Sequence, residues 1–287
     1  MGMVRAGAAF TLPGKEFSMS RMTIVVDNQT ARGLAVEHGL ALVVDGSAGR
    51  FLFDTGAGAA LLPNAAALGM AAASLRRVIL SHGHYDHTGG LAALTAVVPD
   101  LEVFAAPSVT QPRFSCHPGQ PVRDLTMPED CLLALAKVAR RHEIAAFTEI
   151  APQVFLTGPI PRRSGEDCGG PFFLDRAGRE PDLLTDEQAL LLGDGTLVQG
   201  CCHSGIINTL EYCRRCAPQV PVRTLVGGLH LGHATPERLR QTADYLLGLD
   251  LRQLVLLHCT GEAASAYLQR NLRCPVHTAR SGETYEC

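Results

Sequence analysis

The chain reads as an α/β protein, a four-layer αββα sandwich, on three observations. Short β-branched apolar runs fall into two groups, one in each half of the chain. Helical stretches trail each group. Two β-rich halves of this kind bury most apolar surface when their sheets pack face to face and the helices cover the outside.

In the first half, the strand-like runs are Thr23–Val26, Leu40–Val44, Phe51–Phe53 and Val78–Leu80, with helical patterns over Ala59–Leu68 and Gly90–Val98. The second half repeats the logic with strands at Ala189–Leu192, Thr196–Gln199, Val222–Val226 and Gln253–Leu257. Its helices are Ile206–Cys216, Pro236–Leu247 and Glu262–Asn271. Between the halves, Ala106 to Arg179 breaks the rhythm, being rich in proline and glycine with one clear helical pattern, Glu129–Arg141. A stretch this long in a compact domain reads as a lid or binding loop. Residues 1–21 read as an N-terminal leader without the apolar core of a signal peptide, ahead of one domain over 22–287.

Composition narrows the function classes. A chain of 287 residues, 46% of them hydrophobic, can bury a large core. Its net charge of −3 and lack of a basic stripe argue against nucleic-acid or membrane-surface binding. No apolar run is long enough to span a bilayer. The ten cysteines are scattered or adjacent, as at Cys201–Cys202, which fits a reduced cytoplasmic setting better than a disulfide framework. Cys213-Arg-Arg-Cys216 lacks the second pair that structural zinc requires. The expected partner is a small, anionic molecule, and the composition is compatible with a homo-oligomer.

The densest chemistry is Ser81-His82-Gly83-His84-Tyr85-Asp86-His87, where three histidines and an aspartate fall within six positions after the buried run Arg77–Leu80. At i and i+2 in extended chain, His82 and His84 share a face and can reach one ion. Asp86 and His87 follow where the chain turns, so a second ion can bind a few ångströms away. In the second half, His203 and His258 each follow an apolar strand and precede a glycine, which aims them at the mouth of the sandwich.

His82-x-His84-x-Asp86-His87 is similar to the H-x-H-x-D-H signature of the metallo-β-lactamase superfamily, and the resemblance extends over most of the chain. It implies the αββα sandwich and a site holding one or two divalent ions, zinc first, with manganese or iron as alternatives. Phe51-Leu52-Phe53-Asp54-Thr55-Gly56 resembles the superfamily strand whose aspartate orients the metal loop, giving Asp54 a supporting role. His258 matches the last ligand position. The loop expected to hold the third histidine, Leu156 to Arg163, contains none. The Cys201-Cys202-His203 turn stands where the bridging residue belongs, which makes His203 a ligand, with Cys201 or Cys202 as the alternative. This departure, together with Glu37-His38-Gly39-Leu40, Gly227-Gly228-Leu229-His230-Leu231 and His258-Cys259-Thr260-Gly261, resembles one branch. Its members are similar to 7,8-dihydropterin-6-yl-methyl-4-(β-D-ribofuranosyl)aminobenzene 5′-phosphate synthases.

The expected activity is metal-dependent hydrolysis, with metal-activated water attacking a small ester, lactone or phosphodiester and Asp86 orienting it. The alternatives are the synthase's condensation and an iron oxidoreductase or non-catalytic metal module. His230, after Val222–Val226 and a glycine pair, reads as a proton donor, a substrate-anion contact or a packing residue. Arg162 and Arg163 read as a guanidinium clamp for phosphate or carboxylate, or as a solvated pair. His38, His117, His142, His233 and His277 read as structural or surface residues.

Overall fold

The computed structural model describes residues 19–166 and 170–287. Its first half runs β1 (Arg21–Val26), β2 (Ala41–Gly46), β3 (Gly49–Phe53), α1 (Leu61–Ala67), β4 (Arg77–Ile79), the single turn α2 (Tyr85–Thr88), α3 (Leu91–Val97) and β5 (Glu102–Ala105). A middle stretch follows with β6 (Phe114–Ser115), β7 (Arg123–Asp124), α4 (Glu129–Lys137), β8 (Arg140–Glu143), β9 (Thr148–Ala151), β10 (Val154–Leu156) and β11 (Phe172–Phe173). The second half comprises β12 (Leu190–Leu192), β13 (Thr196–Gln199), α5 (Ile206–Cys216), β14 (Thr224–Gly227), α6 (Pro236–Leu247), β15 (Gln253–Leu256), α7 (Glu262–Asn271), β16 (Val276–Thr278) and β17 (Thr284–Glu286).

Two seven-stranded sheets result, ordered β17-β1-β2-β3-β4-β5-β8 and β16-β15-β14-β13-β12-β10-β9, beside a small sheet β11-β6-β7. Each large sheet is antiparallel at one end and parallel from its middle onward, at β3-β4-β5-β8 and β13-β14-β15-β16. Parallel neighbours need crossovers, and the helices supply them.

The layering follows from alternation along the strands. Phe51 and Phe53 on β3 point into a core shared with Leu190, Leu192, Val198, Val226 and Val255 of the other sheet. Leu52 points the opposite way, onto Leu61, Leu91 and Leu94 under the helices of the first half. In the second sheet Leu191, Leu197, Leu225 and Leu254 likewise turn outward to Leu210, Leu246 and Leu268 of α5, α6 and α7. Three apolar cores separate four layers. Strands buried on both faces read as continuous apolar runs, and that is why these were visible in the sequence.

The middle stretch departs from expectation. The helix predicted over Glu129–Arg141 stops at Lys137, and Arg140–Glu143 instead forms β8 at the edge of the first sheet. β9 and β10 complete the second sheet, so only the flanking segments with β6, β7 and β11 form a cover over the sheet ends. Buried Arg113 anchors that cover through Asp186, 2.8 Å away, whose other oxygen accepts from the Gly83 amide at 2.7 Å. Residues 167–169 of this stretch, and residues 1–18 of the expected leader, lie outside the described residues. Arg21, the last residue of that leader, is already the first of β1 and pairs with Asp45 and Glu286. Among the described residues no helix is long and apolar enough to cross a membrane.

Leu190 lies between the sheets at 0% exposure, whereas Leu247 at the end of α6 is 36% exposed. Leu190→Ala should destabilise the protein by about 2–5 kcal/mol, seen as a lower urea midpoint. Leu247→Ala should change it by about 0.5 kcal/mol or less.

Candidate metal centre

The site forms where four strands of the two sheets end. At the end of β3, Asp54 is fully buried with a left-handed φ of 61°, a conformation that costs a non-glycine residue about 1–3 kcal/mol. Its carboxylate spans the gap to the loop after β4. Oδ1 accepts from the Ser81 amide at 2.7 Å, and Oδ2 accepts from both the Ser81 hydroxyl and His87 Nδ1 at 2.7 Å. With its hydrogen committed to Asp54, Ser81 Oγ accepts from His82 Nδ1 at 2.9 Å. Both imidazoles are thus held in the tautomer that leaves Nε2 free for a cation. Gly200 packs against this chain so closely that a Cβ there would lie 2.3 Å from Ser81 Oγ and 3.1 Å from Asp54 Oδ2.

His84 follows one residue after Gly83, where a Cβ would lie 2.0 Å from the Val109 carbonyl oxygen; only glycine lets the loop pass. His82 Nε2 and His84 Nδ1 converge to 2.9 Å. Gly205 and α5 follow a turn after β13 that brings His203 to them, its ring 4.9 Å from that of His82 and 5.1 Å from that of His84. The buried Glu187 carboxylate accepts from the His203 and Ser204 amides and holds that turn. His84 Nε2 and both ring nitrogens of His203 are buried without a hydrogen-bond partner. Burial, and then the neighbouring imidazoles, hold His82 and His203 well below the usual histidine range, with Arg113 adding to the shift at His82 and Arg162 at His203; His84 is lowered in the same way despite Asp86. Three neutral, convergent imidazoles with orphaned nitrogens fit a divalent cation.

A second cluster adjoins the first. The turn α2 presents Asp86, whose Oδ2 lies 3.3 Å from His38 Nε2, 3.4 Å from His258 Nε2 and 3.7 Å from His87 Nε2. Asn28 Oδ1 accepts from the Gly39 amide, so the atom facing His258 Nδ1 at 3.0 Å is an oxygen, and His258 donates through Nδ1 and keeps Nε2 free. Asp27 accepts from the His258 amide at 2.9 Å. Burial opposes ionisation of Asp86, but His87 and His258 outweigh it and hold the carboxyl far below its ordinary value. Burial also opposes charge on His87, yet Asp54 and Asp86 raise it to about 9. A carboxylate with three imidazoles again fits a cation, and the rings of His82 and His87 are only 4.2 Å apart, so the two clusters are adjacent.

Comparisons with known proteins bear on the fold that carries this geometry. Residues 34–102 match the family model of the metallo-β-lactamase superfamily. A solved structure described as a metal-dependent hydrolase of the β-lactamase superfamily matches with a TM-score of 0.80 and 28% identity, over 93% of this chain and 99% of that one. The chain has the metallo-β-lactamase fold. An uncharacterised protein of Methanocaldococcus jannaschii is 27% identical over 250 residues, 86% of this chain and 93% of the relative. The 7,8-dihydropterin-6-methyl-4-(β-D-ribofuranosyl)-aminobenzene-5′-phosphate synthase of the same organism is 28% identical over 243 residues, 78% of this chain and 81% of that protein.

Within this metallo-β-lactamase fold the structure brings together His82, His84, Asp86, His87, His203 and His258, with Asp54 behind them. It divides the Cys201–His203 turn differently from the expectation that the turn fills the bridging position. His203 turns to His82 and His84 as the third histidine, Cys201 Sγ faces His87 Nε2 at 3.2 Å, and Cys202 packs in the apolar core under α5. His230, at a left-handed φ of 48°, sets its ring 4.3 Å from that of His203, tilted by 52°, and groups with Cys201 and Cys259. Burial opposes charge on His230, but Cys259 raises its pKa above the ordinary value.

Arg162 and Arg163 are exposed and absent from the cavity beside the clusters; the Arg162 guanidinium donates to the Leu183 carbonyl at 2.6 Å. His38, read as structural, reaches Asp86, and His117 and His233 line the cavity. The cavity holds about 670 Å³ and is roofed by Ser115, Arg123, Pro171 and Phe172 of the small-sheet segments. His142 and His277 lie away from it, against Phe104 and Tyr285. Sequence reasoning also missed Cys259, Glu187 and Asn28. His38 carried a signal in the Glu37–Leu40 motif, but its approach to Asp86 depends on the neighbouring Leu40 amide donating to the Asp86 carbonyl at 3.1 Å.

Elemental analysis of protein purified without added metal should show less metal per chain for His203→Ala than for wild type. Gly200→Ala should weaken metal affinity roughly 10- to 100-fold by displacing Ser81 and Asp54, although Gly200 touches no cation position.

Proposed function

We propose that the protein is a metal-dependent hydrolase of a small anionic ester, with phosphodiesters and lactones as the substrate classes to test. One observation carries the reading: two adjacent clusters of cation-ligating side chains share a wall of one 670 Å³ cavity. The first cation position would use His82, His84 and His203, and the second Asp86, His87 and His258, with His38 at the rim and Cys201 beside His87. A divalent cation, zinc first and manganese or iron otherwise, lowers the pKa of water and polarises the scissile bond when bound there.

The chain's own groups supply the rest. Asp86, kept ionised by its imidazole neighbours, accepts a hydrogen bond from the attacking water and orients it. His230 faces the cavity with a raised pKa and an Nδ1 that has no protein partner, so it carries a proton toward a leaving group. The roof residues Pro171 and Phe172 exclude bulk water from the ring nitrogens of His84 and His203.

A second reading, condensation of a dihydropterin with a ribofuranosylaminobenzene 5′-phosphate, rests on the 28% identity to the archaeal synthase. The purified protein should hydrolyse bis(p-nitrophenyl) phosphate or a lactone, lose the activity to a chelator, and regain it with added zinc, manganese or iron. Asp86→Asn and His230→Gln should each lower kcat by roughly 100-fold or more, His230→Gln with metal content unchanged. Condensation product from the pterin pair, with no turnover of simple esters, would select the synthase instead.

A further inference from the structure

We infer an anion subsite in the same cavity, where Arg238 and the N-terminus of α7 hold a phosphate group of the substrate. It rests on the hydrolase reading for the reaction at the cation clusters, and it narrows that reading to phosphorylated substrates.

Arg238 carries the argument. It sits in the first turn of α6 and lines the cavity, yet it is only 8% exposed. Its Nε is buried with no hydrogen-bond partner, and no carboxylate among the described residues pairs with its guanidinium. The acidic residues at these helix starts are committed elsewhere: Glu237 to Arg240 at 3.1 Å, and Glu262 to Gln29 at 3.1 Å. A guanidinium stays charged at any physiological pH, and burying that charge unpaired costs free energy that a bound anion would recover.

The surroundings offer donors to the same anion. Ala234 and Thr235 at the start of the twelve-residue α6 line the cavity, and so does Gly261, the N-cap of the ten-residue α7, which has no side-chain cap. α6 begins with Pro236 and its Arg238 amide donates to the Thr235 hydroxyl at 3.2 Å, so that end adds little beyond its dipole, whereas the uncapped start of α7 presents backbone amides. His233 and His230 line the same cavity, and the Arg238 charge is felt at His230. A planar fork, the start of α7 and the His233 imidazole line the same cavity, a set of donors that suits the several oxygens of phosphate. Arg162 and Arg163, outside the cavity, take no part.

The test is binding of inorganic phosphate, followed by calorimetry on the metal-loaded protein, with metal content measured on the same samples. Wild type should bind phosphate, Arg238→Gln roughly 10- to 100-fold more weakly, Arg238→Lys in between, and Arg162→Gln like wild type. Thermal melting would check that each variant is folded; if Arg238→Gln is not, Arg238→Lys alone decides, because it keeps the charge but loses the fork. Phosphate affinity that is unchanged in the Arg238 variants, and falls instead in His203→Ala, would overturn the subsite and place the phosphate at the cations. Absence of metal from wild type would overturn the hydrolase reading, while phosphate binding that still depends on Arg238 would leave the subsite standing.

Discussion

The Asp54 carboxylate is the interaction on which the site depends. It is fully buried at the end of β3, and every bond it makes crosses to the loop after β4. Through Ser81 it fixes His82, and directly it fixes His87, so one side chain sets the tautomers of ligands in both clusters. A buried carboxylate requires compensating charge. Asp54 and Asp86 raise the pKa of His87 to about 9, and a cation held at this position would supply the positive charge that the two carboxylates call for.

The strain around this chain marks the same residues. Among the described non-glycine residues with left-handed φ are Asp54, Cys202, His230 and His258, all at or beside the site. Each conformation costs free energy that the double-sided burial of the two sheets can offset. The fold therefore serves the site in a specific way. Its three apolar cores hold the ends of β3, β4, β13 and β15 still enough to keep buried imidazoles in unfavourable backbone conformations.

Legibility in the sequence follows how local each signal is. Helices α5, α6 and α7 match their expected ranges because their starts carry local stop and start chemistry, Gly205, Thr235-Pro236 and Gly261. Strands buried on both faces were visible as apolar runs. β8 was not, because Arg140-Arg141-His142-Glu143 is a charged edge strand next to β5, and nothing in its own composition names its partner. The histidine loop was legible because its ligands are neighbours in sequence. His38 was not, since its place beside Asp86 comes from a contact between two loops. Arg162 and Arg163 read as an anion clamp or a solvated pair because they are adjacent after proline, whereas Arg238 carries no comparable local signal among the charges of α6. Only burial separates them.

The distribution of charge around the cavity bears on the anionic substrate proposed for it. The protein as a whole carries −3, yet the described cavity wall combines Arg123 and Arg238 with the imidazoles of His38, His117, His230 and His233, and Asp86 is its one carboxylate. That carboxylate is surrounded by imidazoles that would share a cation with it, so it presents little negative charge to the cavity. A cavity lined in this way favours an anion over the rest of the protein's weakly negative charge. Cations at the clusters and the buried Arg238 guanidinium would together fix a phosphorylated substrate in one orientation, because both are held by rigid helix starts and strand ends rather than by the roof.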